Sequence, residues 1–248
     1  MSSGISNSER ERLQAMYAEI ATLAGGLAHE IRNPLSTIGM NLELLAEDID
    51  EETSPNTHRM KAKIQTVQRE CRHLEEILNE FLQFAKAGEL DLVEADLNAL
   101  VQDFIEFYQP QAADKSIDIS PHLDADLPLV AVDQSLLRQV LMNLVQNAEQ
   151  AMPGGGLLEF QTLVRNGRVE LELIDNGSGM DERTVSKIFN AFFSTRSGGS
   201  GLGLPTVKKI VEAHLGTISC ESEPGRGTRF TISFPHATMS HDTSKGGA

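Results

Sequence analysis

Cysteine is nearly missing from this chain, and that limits what can hold it together. Only Cys71 and Cys220 occur in 248 residues. One falls on a helical apolar stripe and the other in a strand-like run, so both read as buried free thiols, not as a disulfide or a zinc site. Long apolar runs are missing as well. Nothing approaches the ~18 residues of a membrane span, and no signal-peptide pattern opens the chain. Basic residues are scarce, 21 Lys and Arg against 36 Asp and Glu, for a net charge of −15. That balance argues against a nucleic-acid-binding face, which needs clustered cations, but leaves room for a local cationic site for a phosphate. Internal repeats are absent. His58, His73, His122, His214, His236 and His241 show no metal-ligand clustering.

What is present divides into two halves with different periods. Leu13, Met16, Ile20, Leu23, Leu27, Ile31, Leu35, Ile38, Leu42, Leu45 and Ile49 recur in steps of three and four, the seam of an amphipathic helix. Consecutive fours at Leu27, Ile31 and Leu35 make a stutter, where a left-handed supercoil relaxes. The stretch GLAHEIRNPL lies inside it. His29 is two residues, roughly 200° of helix, from both Leu27 and Ile31, so it faces away from the seam. Pro34 leaves the Glu30 carbonyl without its helical donor and invites a bend just after His29. The acidic stretch Glu43 to Glu52 reads as a solvated loop. Ser54-Pro55 announces a second helix, striped by Met60, Ile64, Val67, Cys71, Leu74, Leu78, Phe81 and Ala85. Such a helical hairpin has too little core to stand alone, so two should pair into a dimeric four-helix bundle. An intramolecular coiled coil packed on the second domain is the plainer alternative.

After Gly88 the pattern changes. Residues 96–113, 134–152 and 204–215 read as helices. Leu157 to Val164 and Val169 to Ile174 alternate like strands about an Asn166-Gly167 hairpin turn. Thr217 to Ser222 and Thr228 to Phe234 are two more, joined by Pro-Gly-Arg-Gly. The second half is therefore an α+β sandwich, a mixed sheet with helices on one face. The segments are a leader over 1–12, a helical domain over 13–88, an α+β domain over 89–236 and a polar, disordered tail over 237–248.

Several short motifs could hold a nucleotide. Asn143 and Asn147 share one helix face. An Asn oxygen can coordinate Mg²⁺ without adding negative charge beside phosphates, although solvent-facing amides are the default. DNGSG, Asp175 to Gly179, ends a strand; an Asp there can accept from an exocyclic amine, while glycines let a flat ring approach the backbone. Alone, that motif is more often a turn. GGSGLGLP opens a helix whose first turn holds Pro205, so the N–H groups around Gly201, Leu202, Gly203 and Leu204 lack intrahelical partners and form a ready anion site. The intervening NAFFSTRSGGS contains Thr195 and Arg196 and suits a lid over phosphates.

In this order the motifs are far more specific than singly. His-Glu-x-x-Asn-Pro, Asn-x-x-x-Asn, Asp-x-Gly-x-Gly, a Phe-rich segment, Gly-x-Gly-Leu-Gly and Pro-Gly-x-Gly-Thr together resemble the cytoplasmic core of two-component sensor histidine kinases. The resemblance covers about Leu13 to Phe234, with a HisKA-type dimerisation domain and a Bergerat-type ATP-binding fold, and GLAHEIRNPL is nearest in wording to the nitrogen-regulatory members. It implies that His29 accepts phosphate from ATP and passes it to an aspartate of a response regulator. Glu30 would assist deprotonation, and Asn33 would orient a water in a reverse, phosphatase reaction. Asn147 would bind Mg²⁺ and Asn143 would support the phosphates. Asp175 would contact adenine in a pocket shaped by Gly177 and Gly179. Gly201, Leu202, Gly203 and Leu204 would form the phosphate loop beside Thr195 and Arg196, and Gly225, Gly227 and Thr228 match the last motif. The family's Phe-x-Pro-Phe is here Phe189-Asn190-Ala191-Phe192, leaving the lid hinge less constrained. Arg196 replaces a common lysine and grips differently.

Two rivals are weaker. A nucleotide-hydrolysing ATPase of this fold places a glutamate where Asn143 stands, and an amide cannot be a general base. A non-catalytic phosphotransfer scaffold would not keep intact nucleotide motifs. The expected chain is cytoplasmic, or the soluble part of a membrane-anchored or larger sensor.

Overall fold

The computed structural model describes residues 27, 30–45, 47, 57–86, 90–196 and 199–236. These form two compact units, one of the residues up to Leu82 with the short segment Arg196–Ser200, the other of the residues from Gln83 to Thr195 and from Gly201 on. The first is helical: α1 covers residues 30–45 and α2 is Thr57–Lys86. His29, the leader, Ser54-Pro55 and the tail lie outside the described residues. α1 runs on through Pro34, which is buried, and the hydroxyls of Ser36 and Thr37 donate to the carbonyls of Arg32 and Asn33 one turn back. Glu43 is helical, as is Glu47, so the expected acidic loop starts later than the sequence suggested; half-buried Leu44 and Leu45 carry the apolar stripe onward.

The stripe on α2 is only half covered. Lys63 and Ile77 are buried, and Met60, Val67, Leu74 and Phe81 are half-buried. The Lys63 ammonium donates to the Leu44 carbonyl at 2.8 Å, which ties α2 to α1. Ile64 and Leu78 stay 44% and 49% exposed, and Cys71 between them is exposed. Cys71 is thus not the buried thiol the stripe implied, because the helix carries two adjacent apolar faces and its own chain covers one. Leu35, Met40 and Leu42 on α1 are likewise exposed.

The second unit follows the order β1 (Val93–Ala95), α3 (Leu97–Asp114), β2 (Ile117–His122), β3 (Val130–Val132), α4 (Gln134–Ala151), β4 (Gly156–Arg165), β5 (Arg168–Asp175), α5 (Glu182–Val185), α6 (Gly203–Ala213), β6 (Thr217–Glu223) and β7 (Gly227–Pro235). Its main sheet has strand order β2-β4-β5-β7-β6, with β2 parallel to β4 and the other pairs antiparallel; β1 and β3 form a small ladder of their own. Strand alternation decides the faces. Leu158, Phe160, Leu171, Leu173, Phe230 and Ile232 are at most 3% exposed and join the core with α3, α4 and α6. The opposite face is polar, where Arg165 and Arg229 pair with Glu172. Asn166 and Gly167 both take positive φ, 53° and 72°, the conformation a two-residue hairpin requires. The short strands β1, β2 and β3 have no counterpart in the sequence reading.

Candidate nucleotide site

α4 begins on Asp133, whose Oδ1 accepts from the N–H groups of Ser135 and Leu136 at 2.9 and 3.1 Å and from the Ser135 hydroxyl at 2.7 Å. Its Oδ2 accepts from the Asp91 N–H at 3.0 Å. Burial pushes this carboxyl up, but these four donors outweigh it and hold Asp133 below the usual carboxylate range. The Asp133 N–H in turn donates to Nε2 of His214, while Nδ1 of the same ring, 2.7 Å from the Ile210 carbonyl, carries the proton. The imidazole therefore binds the start of α4 to the end of α6. At the other end of α4, Glu149 accepts from the Tyr108 hydroxyl and from Gln111, fixing α4 to α3. Burial and that carboxylate raise the Tyr108 phenol well above its ordinary value.

This double anchoring sets two amides on one face of α4. Asn147 Nδ2 donates to the Asn143 carbonyl at 2.7 Å, and Asn143 Nδ2 reaches the Gly203 carbonyl at 3.4 Å. Asn143 and Gly203, 60 residues apart, are so brought together. Among the described residues no cluster of three or more His, Cys, Asp or Glu could cage a metal. The donor set would suit a hard cation that arrives with phosphates, since an asparagine amide oxygen is a neutral ligand of the kind such an ion takes alongside phosphate oxygens.

Asp175 ends β5 at 4% exposure, opposite Thr228 of β7, which is opposite Ser222 of β6. The turn after Asp175 folds back on it, since the Gly177 N–H donates to Asp175 Oδ1 at 2.9 Å. Two further bonds fix the loop: Ser178 N–H donates to the Ala151 carbonyl at the end of α4 (3.0 Å), and Gly225 N–H to the Ser178 carbonyl (2.7 Å). Glycine is obligatory at 227. There φ is +99°, and a Cβ would overlap the Asp175 carbonyl oxygen. Gly179, at φ +63°, faces the Glu223 carbonyl in the same way. Cys220 lies half-buried on β6. Burial, with the charges of Asp175 and Glu221, pushes its thiol up to about 12.

α6 begins without a side-chain cap on Leu202. The first backbone bond within the helix is Thr206 N–H to the Leu202 carbonyl at 2.9 Å, and Pro205 has no N–H to offer. The N–H groups of Gly203 and Leu204 therefore lack intrahelical acceptors. A Cβ on Gly203 would meet nothing within 4 Å, so this helix end opens onto free space. Gly201 differs: φ is +67°, and a Cβ there would come within 2.6 Å of Phe192. The Phe192 N–H donates to the Gly201 carbonyl at 3.0 Å, closing the base of the loop between them.

The bonds thus bring Asn143, Asn147 and Gly203 together, and separately Asp175 with Gly177 and Thr228 with Ser222; of these bonds, only that of Ser178 to Ala151 ties the Asp175 loop to the end of α4. Thr195 and Arg196 are exposed on the loop before Gly201, and Glu30 (half-buried) and Asn33 (exposed) stand on α1. Ser222 and His214 are functional candidates that the sequence reading did not select. Ser222 occupies an alternating strand position with no motif around it. His214 sits just past the end of α6, and only folding brings it to Asp133.

Comparison with known proteins bears on the family of the chain. Residues 132–238 match the family described as Histidine kinase-, DNA gyrase B-, and HSP90-like ATPase, and residues 19–90 match His Kinase A (phospho-acceptor) domain. The chain is 32% identical to Signal transduction histidine-protein kinase AtoS of Escherichia coli (strain K12), over 92% of this chain and 37% of that protein. It is 34% identical to Sensor histidine kinase ZraS of Klebsiella oxytoca, over 86% of this chain and 45% of that one. It spans less than half the length of either relative. Among solved structures, histidine kinase ThkA in complex with response regulator protein TrrA gives a TM-score of 0.68 at 28% identity, over 94% of this chain and 65% of that one. Full-length ShkA in complex with AMPPNP gives 0.63 at 29%, over 88% and 46%.

Proposed function

Because the chain belongs to the two-component sensor histidine kinases and holds their catalytic core, we propose that it is an ATP-dependent kinase that phosphorylates its own His29. The observation that carries this reading is an uncapped, open helix N-terminus at Gly203, tied to α4 through Asn143, in the same unit as the buried Asp175–Thr228 strand pair. Phosphates at the α6 terminus would accept from its N–H groups. The base would donate its amine to Asp175. Mg²⁺ held by Asn147 would neutralise charge on the phosphate oxygens.

In the transfer itself, one ring nitrogen of His29 attacks the γ-phosphorus, the P–O bond to ADP breaks, and Glu30 takes the proton from the other nitrogen. The receiver's aspartate then attacks that phosphorus, and the P–N bond breaks as the imidazole recovers its proton. Asn143 supports this route over hydrolysis, since its amide cannot take a proton from water. Asn33 lies four residues after His29, on the same helix face one turn on. It suits positioning a water for in-line attack on the aspartyl phosphate, giving the reverse activity. The complex of ThkA with TrrA supports a receiver domain as the partner.

The exposed apolar residues Leu35 and Leu42 on α1 and Ile64, Leu78 and Leu82 on α2 support a homodimer through residues 13–86. The domain limits 13–88 and 89–236 remain part of this reading. No described helix is long and apolar enough to cross a membrane.

Incubation with labelled ATP and Mg²⁺ tests the whole. An acid-labile, alkali-stable label should form on wild type and vanish in His29→Gln; full labelling of that variant would refute the assignment. Asn33→Ala should keep autophosphorylation yet lose dephosphorylation of the regulator, and parallel loss of both removes its separate role. Absence of ATP binding would favour a phosphotransfer scaffold.

A further inference from the structure

We infer that Ser222 fixes the direction of the Thr228 hydroxyl, making the base pocket a double acceptor that selects a purine with an amino group over one with a carbonyl. The inference rests on the nucleotide-site reading above and deepens it. Its ground is the accounting of one oxygen. Ser222 Oγ has three neighbours: the Met180 N–H at 2.8 Å, the Gly227 carbonyl at 2.9 Å and Thr228 Oγ1 at 3.0 Å. A serine hydroxyl has one proton and two lone pairs. The Gly227 carbonyl can only accept, so the Ser222 proton goes to it. The Met180 N–H can only donate, so it takes one lone pair. The remaining contact closes only if Thr228 donates into the second lone pair.

The proton of Thr228 is thereby turned toward β6, away from the Asp175 side. Thr228 lies between the two, paired with Asp175 on β5 and with Ser222 on β6, and is 6% exposed. What it offers beside Asp175 is a lone pair. Asp175 and Thr228 then present acceptors together. Adenine meets them with the donor N6 amine, whereas guanine has the acceptor O6 at the same position. Without Ser222 the hydroxyl would be released to rotate and donate to O6, which would narrow the gap between the two bases while Asp175 still favours adenine. Ser222 is a positioning residue, since it acts through Thr228 and through the Met180 end of the Asp175 loop.

The test is competition between ATP and GTP, each with Mg²⁺, read as the ratio of their dissociation constants on the full chain. Ser222→Ala should lower the preference for ATP about tenfold, the scale of one net hydrogen bond. Ser222→Thr retains the oxygen and should keep the wild-type ratio. Thr228→Val removes the oriented acceptor and should lower the ratio to the same level, with Ser222→Ala adding nothing on top. A merely structural Ser222 would weaken both nucleotides equally, and an unchanged ratio in Ser222→Ala overturns the inference. Should that variant not fold, an unchanged ratio in Thr228→Val overturns it equally. A wild type that prefers ATP, with that preference undiminished by both substitutions, sinks this inference alone. A wild type that binds neither nucleotide sinks the site reading and this inference with it.

Discussion

Replacing Gly203 with alanine separates what the α6 terminus does for folding from what it does for a ligand. The new Cβ meets no atom within 4 Å, and the residue is the first of the helix with no positive φ to defend. Alanine restricts the unfolded chain, so the ligand-free protein should gain about 0.4–1 kcal/mol. For a protein of this size that raises Tm by roughly 1–4 °C. The methyl would also occupy open space at the helix end whose N–H groups we propose bind phosphate, and would crowd an approaching phosphate oxygen. Losing one hydrogen bond to a charged group costs about 1.5–3 kcal/mol, which is roughly 10- to 150-fold in ATP affinity. Gly167→Ala, in the β4–β5 turn, is the control. Its φ is +72° with nothing near the added Cβ, so about 1–2 kcal/mol of stability should go while ATP affinity stays. Calorimetric unfolding without nucleotide, beside ATP titration with Mg²⁺, reads both quantities. A Gly203→Ala protein that binds ATP like wild type, or that loses stability along with affinity, would refute the reasoning.

Asp133→Ala should cost about 1–2 kcal/mol through the lost cap. Because folding holds this carboxyl below 3.8, its charge contributes fully above that pH and the contribution fades as pH falls through 3.8 toward the folded value. The gap between variant and wild type in denaturant melts should therefore narrow below pH 3.8; a constant gap contradicts the assignment. Leu78→Glu puts a charge on the uncovered face of α2 and should give monomers at micromolar concentration in sedimentation, where wild type should sediment as a dimer. Cys220, with its thiol near 12, should resist alkylation at pH 8 until the chain is unfolded, and prompt native labelling by intact mass would count against its burial.

Period was the legible part of this chain. The alternation of Leu158, Phe160, Val169, Leu171 and Leu173 marked two strands and their inner face, and Asn166-Gly167 marked the turn between them. Asp133 and Asp96 turn out to be caps, side chains that accept from the N–H groups just after them, a role the sequence reading did not assign. β1 and β3 are three residues each, too short to display a period, and β2 is broken up by Pro121 and His122. The first half was read one face too simply. Its stripe named the right residues, but an apolar stripe cannot say which half its own chain will cover, and so Cys71 was misplaced. At the site, Asp175 and the glycines carried signals because backbone geometry demands those residue types. Ser222 and His214 carried none, since each acts through a partner many residues away.

The parallel pairing of β2 with β4 has a consequence for the order of assembly during synthesis. β4 with β5, and β6 with β7, close as hairpins across short turns. β2 cannot do so, because Ile117 pairs with Gly156 and the whole of β3 and α4 must be made first. A nascent chain thus carries β2 for a time as an unpaired strand, the kind of element that recruits neighbours into aggregates. Its composition limits that hazard: Asp118 breaks the apolar run between Ile117 and Ile119, and Pro121 withholds a backbone donor. Even in the finished sheet β2 remains an edge, so the residues that guard the growing chain go on guarding the folded one.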